Sequence, residues 1–382
     1  MRSQGIDLLR GLSIVLVVVH HTALRIPLEK GVLADWLPEW FLVGLQYNGF
    51  ESVFLFFVIS GFLIISNSLA RWGALARIDV PAFYRRRAAR ILPLLLILVA
   101  VLCGLARAGA PHYTLERSGQ TLPRAALAAL GFHINVYEAN RGYLPASWDV
   151  LWSLSIEEVF YLAFPVACLT LGRTRLLVPA LLLLAASIPV VRAHIHHQQI
   201  WSESNYLQGM AAIATGVLAA LLVRRWPAGR PSTVRWATVL GVVALAAVYF
   251  AGTELWHSLR YTYMPVLTTG AAALVIAARW REAGGVATPA RAFAWLRSFG
   301  RLSYEIYLTH MFVVWLAVDA FDATGADLRL GLAWYPPVLA TAWASGWLVA
   351  RFVSGPLERL VLRAGASRGV APASARSAGA SA

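Results

Sequence analysis

The first apolar segment of the chain carries an arginine and a histidine that share one helical face. Arg10 and His21 are eleven residues apart. At 100° per residue their side chains point within about 20° of each other and lie roughly 16 Å apart along the helix axis. The adjacent His20 faces elsewhere. An inward-facing imidazole can act as a general base toward a hydroxyl group, or it can hydrogen-bond a neighbouring helix without doing chemistry.

Two adjacent carboxylates occupy a later apolar segment. Glu157 and Glu158 follow Trp152, and measured from an outer helix end near that tryptophan they lie about 8 Å deep. His21 lies at a similar depth below the end of its own segment. Inserting an ionisable residue into a membrane helix costs about 2.5–3.5 kcal/mol of free energy, so two glutamates without any function are disfavoured. We therefore predict that one of the two glutamates orients or polarises the imidazole of His21.

A basic cluster precedes the third long apolar segment. In the run Phe83-Tyr-Arg-Arg-Arg-Ala-Ala-Arg-Ile-Leu-Pro93, Arg87 and Arg90 are one helical turn apart, and Arg86 lies beside them. Two guanidinium groups at this spacing can fork onto a phosphate. The alternative is a cluster that only sets membrane topology and contacts lipid headgroups.

A polar stripe opens the ninth apolar segment, where Ser303, Tyr307 and His310 fall on one helical face. Such a stripe can line a cavity, or it can connect helices through hydrogen bonds.

Metal and disulfide chemistry is disfavoured. No cysteine or carboxylate set completes a site with the histidines at positions 194, 196 and 197. Cys103 and Cys168 each lie inside an apolar stretch and are typical of small core residues. We predict neither a metal site nor a disulfide.

The elements that must position these side chains are transmembrane helices. Of the 382 residues, 59% are hydrophobic and 14% are charged, and the mean hydropathy is +0.63. These values exclude an ordinary soluble domain. The apolar stretches are continuous and do not alternate, which disfavours a β-barrel. We predict an all-α multipass integral membrane protein whose ten transmembrane helices lie at residues 6–24, 50–69, 91–109, 152–172, 176–192, 206–223, 236–251, 263–279, 302–319 and 333–353.

The basic residues set the predicted orientation. The formal net charge of +14 comes from 32 arginines and one lysine against 19 acidic residues. Most of the arginines fall in alternate loops, so the positive-inside rule places both termini in the cytoplasm, and no nucleic-acid partner is needed to explain the charge. The stretch 125–137 is too short to cross and lies in the outer loop 110–151, as a re-entrant segment or as a short helix packed on the bundle. Residues 1–355 form the predicted bundle, and the Ala/Gly/Ser-rich residues 364–382 form a disordered tail.

Five segments, taken in order, resemble the membrane-bound acyltransferase 3 family, the integral-membrane O-acyltransferases of bacterial surface polysaccharides and some natural products. The resemblance extends from the first helix to about residue 355. The segments are Ile6-Asp-Leu-Leu-Arg10-Gly followed by His21, Phe56-Phe-Val-Ile-Ser-Gly-Phe-Leu-Ile64, Arg87-Ala-Ala-Arg90-Ile-Leu-Pro93, Trp152-Ser-Leu-Ser-Ile-Glu-Glu-Val-Phe-Tyr161 and Ser303-Tyr-Glu-Ile-Tyr-Leu-Thr-His310.

One position departs from this pattern. In many relatives an aspartate stands where this chain has Phe54. Glu51, one turn earlier on a similar face, is the candidate to replace it. We predict that Glu51 lines the cavity together with Ser303, Tyr307 and His310.

The resemblance implies an enzyme of the bacterial inner membrane. It would transfer an acyl group, commonly acetyl, from cytoplasmic acyl-CoA to a hydroxyl group of a carbohydrate or small hydroxylated acceptor at the far side of the membrane. Acyl-CoA is then a co-substrate, and no other cofactor is expected. The rival class is a secondary transporter or flippase of a sugar or lipid, which the lack of a convincing internal repeat disfavours.

The resemblance also suggests a division of roles. His21 would be the general base, held by Glu157 or Glu158, and Arg10 would stabilise the developing charge or the donor. The donor itself would contact the cluster of Arg86, Arg87 and Arg90. A route through a covalent acyl-histidine stays open, as do the acceptor's identity and the oligomeric state.

Overall fold

The computed structural model describes residues 3–172, 175–195, 198–285 and 291–367. Within these ranges the chain is helical and forms no β-strand, which confirms the all-α prediction. The α-helices are α1 (Gln4–Ala23), α2 (Glu39–Gln46), α3 (Gly49–Trp72), α4 (Val80–Arg107), α5 (Leu122–Leu130), α6 (Ile134–Arg141), α7 (Ala146–Asp149), α8 (Leu151–Leu171), α9 (Leu177–Ala186), α10 (Ile188–Ile195), α11 (Gln199–Ser204), α12 (Tyr206–Arg225), α13 (Pro231–Phe250), α14 (Gly252–Leu259), α15 (Tyr263–Ala283), α16 (Ala294–Arg301), α17 (Ser303–Ala323), α18 (Tyr335–Val349) and α19 (Gly355–Ser367).

Nine helical stretches in the described ranges are long and apolar enough to cross a bilayer. They correspond to the first nine predicted segments, so a multipass membrane protein is confirmed. The tenth predicted segment, 333–353, falls on α18, a helix of 15 residues that continues through the π-helical turn Ala350–Ser354 into α19. The number of crossings and the orientation of the termini stay predictions.

Two helices begin earlier than the apolar pattern suggested. α4 starts at Val80, where the Asp79 side chain accepts a hydrogen bond from the Ala82 N–H at 2.9 Å and caps the helix. The basic cluster therefore lies on the first turns of a 28-residue helix. The fourth crossing starts at Ala146, because α7 leads directly into α8.

Small residues let two pairs of helices approach closely. A Cβ atom added at Gly61 on α3 would lie 1.9 Å from the carbonyl oxygen of Ile213 on α12, and one added at Gly216 would lie 1.9 Å from that of Val58. α1 and α16 make the same kind of contact. Close backbone approach at glycine is a common mode of helix packing in membranes, and here it holds α3 against α12.

The outer loop contains α5 and α6 over the stretch predicted as re-entrant or packed. These helices have nine and eight residues, too few to cross a bilayer. Ala125 and Ala128 of α5 are fully buried, so the structure favours the short packed helix. Residues 368–382 of the predicted tail, together with His196 and His197, lie outside the described residues.

Candidate functional site

An inner cavity of about 330 Å³ opens between α1, α3, α4, α8 and α17. Its polar lining includes Arg10, Ser60, Arg87, Glu157, Tyr161 and Ser303. Each of these side chains comes from a helix that otherwise packs through apolar residues. The cavity is therefore a polar chamber inside a hydrophobic bundle.

Glu157 is held by two hydroxyl groups in this inner cavity. Its Oε1 accepts a hydrogen bond from Ser60 Oγ at 2.7 Å, and its Oε2 accepts one from Tyr161 Oη at 3.2 Å. The guanidinium of Arg87 lies 4.2 Å from the centre of the Tyr161 ring, a cation–π contact. Both Arg87 and Arg10 interact electrostatically with Glu157. The positive charges of Arg87 and Arg10 therefore offset the negative charge of this carboxylate.

Arg10 lies on the opposite wall. Its Nη2 and Nε donate to Ser303 Oγ at 2.7 and 3.2 Å. Ser303 is the first residue of α17, so this contact joins α1 to α17 and brings two predicted site residues together.

An arginine-lined cavity of about 650 Å³, on the side predicted to be cytoplasmic, adjoins the inner one. Arg71, Arg86, Arg87 and Arg90 line it, and the two cavities share Asn67, Arg87 and Arg90. Arg90 is 3.4 Å from Glu305 and 3.5 Å from Glu358, so carboxylates hold its position. Arg86 is exposed, and in the described part of the chain neither Arg86 nor Arg87 has a carboxylate within 4.0 Å. These two guanidinium groups are available to an anion.

An outer cavity of about 120 Å³ contains His21. Val53 and Tyr307 line both this cavity and the inner one and so form the partition between them. The Tyr307 hydroxyl lies 2.8 Å from Ser153 Oγ and 3.0 Å from the Val150 carbonyl oxygen, which fixes the partition to α8. The three cavities therefore follow one another from the arginine cluster to the imidazole.

The hydrogen bonds of His21 and His310 assign their tautomers. His310 Nδ1 is 2.7 Å from the Tyr307 carbonyl oxygen, so it carries the proton and leaves a lone pair on Nε2. His21 Nδ1 is 2.8 Å from the Val17 carbonyl oxygen and 3.3 Å from His310 Nε2, so it donates toward both. The lone pair of neutral His21 is consequently on Nε2, as a general base requires.

The predicted pairing of His21 with Glu157 or Glu158 is wrong, because no hydrogen bond or ion pair joins His21 to either glutamate. The cause is the position of the helix end. Counted from Ala146 instead of residue 152, the glutamates lie six residues deeper, about 9 Å. Glu157 is therefore at the level of Arg10. Glu158 is buried, lines none of the three cavities, and its Oε1 has no hydrogen-bond partner.

Two residues predicted to line the cavity, His310 and Glu51, lie elsewhere in the structure. His310 is fully buried and lines none of the three cavities; it packs behind His21 instead. Glu51 also lies outside them and interacts electrostatically with Arg192. Phe54 is buried against Phe50, with ring centroids 4.9 Å apart. Ser303 and Tyr307 do line the inner cavity.

Sequence reasoning missed the carboxylates that share the cavity of His21. They are Glu138, Asp149 and Glu203. Glu138 is fully buried, and its Oε1 accepts from the Leu144 N–H at 2.9 Å. Burial and the nearby Asp149 carboxylate raise the pKa of Glu138 well above its usual range. Asp149 could have been found from the sequence, because it follows Trp148 at the start of the fourth crossing. Glu138 and Glu203 lie on short helices without a distinctive sequence pattern.

Comparison with known proteins gives a consistent family result. A family model described as an acyltransferase domain matches residues 3–351. The chain is 30% identical over 172 residues to the O-acetyltransferase OatA of Staphylococcus aureus, covering 42% of this chain and 24% of that relative. It is 28% identical over 325 residues to the putative membrane-bound transacylase BcsY of Komagataeibacter xylinus, covering 81% and 72%.

A third relative matches over most of the chain. The identity to the peptidoglycan O-acetyltransferase OatA of Listeria monocytogenes is 23% over 382 aligned positions, covering 93% of this chain and 56% of that relative. The chain thus spans about a quarter of the staphylococcal relative and just over half of the listerial one. No solved structure matches significantly.

Proposed function

The chain belongs to the acyltransferase 3 family, and from this membership we propose that it is an O-acyltransferase of the bacterial inner membrane. Its donor is a cytoplasmic acyl-CoA, acetyl-CoA in the first instance. Its acceptor is a hydroxyl group of a carbohydrate, such as a surface or exported polysaccharide or a lipid-linked precursor, on the other side of the membrane.

One observation supports this proposal above the others, namely the succession of three cavities. The arginine-lined cytoplasmic cavity and the inner cavity share residues, and the inner cavity meets the cavity of His21 at Val53 and Tyr307. A flexible acyl-CoA arm that enters from the cytoplasm can therefore bring its thioester to the partition. There it faces the imidazole that approaches from the opposite side.

The donor end of this path is basic. Arg86 and Arg87 contact the phosphates of the acyl-CoA, and Arg90 is held in place by Glu305 and Glu358. Arg10 lies deeper, fixed by Ser303, where it contacts the acyl arm or the thioester oxygen.

The chemistry is a proton-coupled acyl transfer. His21 Nε2 takes the proton of the acceptor hydroxyl as that oxygen attacks the thioester carbonyl carbon. A new C–O bond forms, the C–S bond breaks, and the sulfur leaves with the electron pair. The imidazolium then returns the proton to sulfur, so that the products are an ester and free CoA thiol. The Val17 carbonyl and His310 Nε2 receive the Nδ1–H throughout and stabilise the cationic imidazole.

The test compares two histidines with the same local hydrogen bond. His21 and His194 each place Nδ1 2.8 Å from the carbonyl oxygen four residues earlier, but His194 is exposed and lies outside the three cavities. We expect His21→Ala to lower acetyl transfer by about a hundredfold or more, and His194→Ala to leave it unchanged. The measurement is release of CoA thiol from acetyl-CoA by purified protein in proteoliposomes without an ion gradient, with size-exclusion elution as the folding check.

The alternative function is a secondary transporter or flippase of a sugar or lipid. That function moves the acceptor without consuming the thioester. Transport without thiol release, or a His21→Ala variant that retains substantial transfer, would reject the proposed mechanism. An acylated His21 trapped by rapid acid quench would instead select the route through acyl-histidine.

A further inference from the structure

The outer cavity collects three carboxylates from three separate elements. Glu138 lies on α6, Asp149 on α7 and Glu203 on α11, and all three line the cavity beside His21. In the described residues no arginine or lysine forms an ion pair with any of them. Carboxylates gathered in a partly dry space are costly unless hydrogen-bond donors reach them. This cavity therefore lacks part of its hydrogen-bonding complement.

The protein supplies few of the necessary donors. Tyr143 Oη donates to Glu203 Oε2 at 2.7 Å, and the Leu144 N–H donates to Glu138 Oε1 at 2.9 Å. Glu138 is fully buried, yet its Oε2 receives no hydrogen bond from an N–H or O–H group. The Glu138 and Asp149 carboxyl groups share one hydrogen bond, in which the protonated Glu138 donates to Asp149. This single proton leaves the other carboxyl oxygens of the pair short of donors. The lining thus carries more acceptor atoms than donors.

Building on the proposed acyl transfer, we propose that the outer cavity is the acceptor subsite and that it selects an uncharged, hydroxyl-rich sugar over a sugar with an anionic substituent close to the reacting hydroxyl. Sugar hydroxyls donate to carboxyl oxygens of the three acids, and one sugar hydroxyl presents its proton to His21 Nε2. An anionic substituent supplies no donor and meets like charge. The Trp152 and Phe50 rings, with centroids 6.1 Å apart, form an apolar wall for the C–H face of the sugar.

The size of the cavity limits how far this selectivity extends. Its volume of about 120 Å³ corresponds to roughly four water molecules at about 30 Å³ each. One hydroxyl-bearing edge of a sugar ring fits, and the remainder of the acceptor stays outside. The selection against negative charge therefore acts on substituents next to the reacting hydroxyl and spares distant ones.

The experiment compares methyl β-galactoside with its 3-O-sulfate and scores acyl transfer at the 2- and 4-hydroxyls, the two hydroxyls adjacent to the sulfate. Binding to the full-length protein is measured by titration calorimetry, and acyl transfer from acetyl-CoA is measured by mass spectrometry. We expect the uncharged sugar to be preferred by at least about tenfold in both readouts. The double variant Asp149→Asn with Glu203→Gln should reduce this preference to about threefold or less.

Two further variants keep the result interpretable. Glu203→Gln alone retains an oxygen that accepts from Tyr143 and should lower the preference partway, so a folding defect in the double variant does not decide the outcome. Glu116→Gln removes an exposed charge of the outer loop outside the cavity and should leave the preference unchanged.

The outcomes separate this inference from the proposed function. Equal binding and equal transfer of the two sugars, a preference that survives in the double variant, or no binding of the uncharged sugar at millimolar concentration each overturn the acceptor subsite. Selective binding without any acyl transfer from acetyl-CoA supports the subsite and rejects the proposed enzyme function.

Discussion

His21 and His310 show how two residues of the same type take different roles because of one hydrogen bond each. The Tyr307 carbonyl holds the proton of His310 on Nδ1, which leaves Nε2 as an acceptor for His21. His310 lines none of the three cavities, so in the proposed mechanism it acts through His21 and is a positioning residue. A backbone carbonyl and a second histidine thus provide what the sequence suggested a glutamate would provide.

This arrangement predicts the effect of replacing His310. His310→Phe removes one of the two acceptors of the His21 Nδ1–H, and a hydrogen bond to a cationic group is worth about 1.5–3 kcal/mol. We expect kcat to fall about tenfold or more with little change in KM for acetyl-CoA or sugar. His310→Gln, which keeps a polar group near the same place, should recover part of the loss. A His310→Phe enzyme that changes KM alone would show that the residue serves packing or binding instead.

Glu138 makes a prediction about stability and pH. Burial and the Asp149 carboxylate raise its pKa well above the ordinary value of glutamate. Between the ordinary pKa and the raised one, the folded protein retains a proton that the unfolded chain releases, so the free energy of unfolding falls as pH rises. Glu138→Gln removes this dependence. We expect the melting temperature of the variant to exceed that of the parent near pH 8, with a smaller difference near pH 5.

The matched control for this measurement is Glu116→Gln, which removes an exposed carboxylate from the same outer loop. It should follow the parent at both pH values. A Glu138→Gln protein whose melting temperature parallels that of the parent across this range would mean that Glu138 is ionised in the folded state.

The types of the site residues could be predicted from sequence, whereas their pairings could not. Arg10, Glu157 and Ser303 were identified because they interrupt apolar segments, and Arg87 because it lies one helical turn from Arg90. All four line the inner cavity. The partner of His21 was misassigned because an apolar pattern does not mark where α7 leads into α8. Glu138 was missed since a single acid in an outer loop carries no signal of its burial.

At the level of helices, the contact between α3 and α12 positions Ser60, which lies on α3 and donates a hydrogen bond to Glu157 on α8. Gly61 and Gly216 bring the two backbones so close that an added Cβ would lie 1.9 Å from a carbonyl oxygen of the partner helix. Gly61→Ala must therefore push the helices apart, and overpacking of this kind costs about 1–3 kcal/mol. We expect a lower melting temperature and reduced acyl transfer, because a shift of α3 at Gly61 also moves the adjacent Ser60 and its hydrogen bond to Glu157.

Gly104→Ala is the control for this substitution. Gly104 lies inside α4, and a Cβ added there meets nothing within 4 Å. Alanine is favoured over glycine in a helix interior by about 0.5–1 kcal/mol, so this variant should be as stable as the parent or slightly more stable. Equal melting temperatures for Gly61→Ala and the parent would show that the two helices adjust without cost.

The helix boundaries explain which parts of the architecture were predictable. Apolar runs located all nine long crossings, because a bilayer demands about 20 apolar residues. They missed the first ten or so residues of α4, where the arginines are polar yet helical after the Asp79 cap. A hydropathy pattern marks the part of a helix that lies in the lipid. The helix itself can begin earlier, at a capping residue such as Asp79.

For the whole molecule, the order of the cavities implies that donor and acceptor enter from opposite sides. The arginine-lined cavity adjoins the inner chamber, and Val53 and Tyr307 line both that chamber and the cavity of His21. In the proposed reaction neither substrate needs to cross the bilayer, because the thioester and the hydroxyl would meet at the partition. The sequence located the arginines and the imidazole, but only the packing of α1, α3, α8 and α17 shows that they face one connected path.

Sided membrane vesicles test this arrangement. In inside-out vesicles, where the predicted cytoplasmic face is outward, we expect external acetyl-CoA to support acylation of a sugar sealed in the lumen. In right-side-out vesicles the same external acetyl-CoA should support no turnover, because the membrane keeps it from the arginine-lined entrance. Detergent permeabilisation should restore the activity of right-side-out vesicles, and vesicles that carry His21→Ala should stay inactive in all three preparations. Acylation of an external sugar by external acetyl-CoA in sealed vesicles of either orientation would place both entrances on one face, contrary to the order of the three cavities.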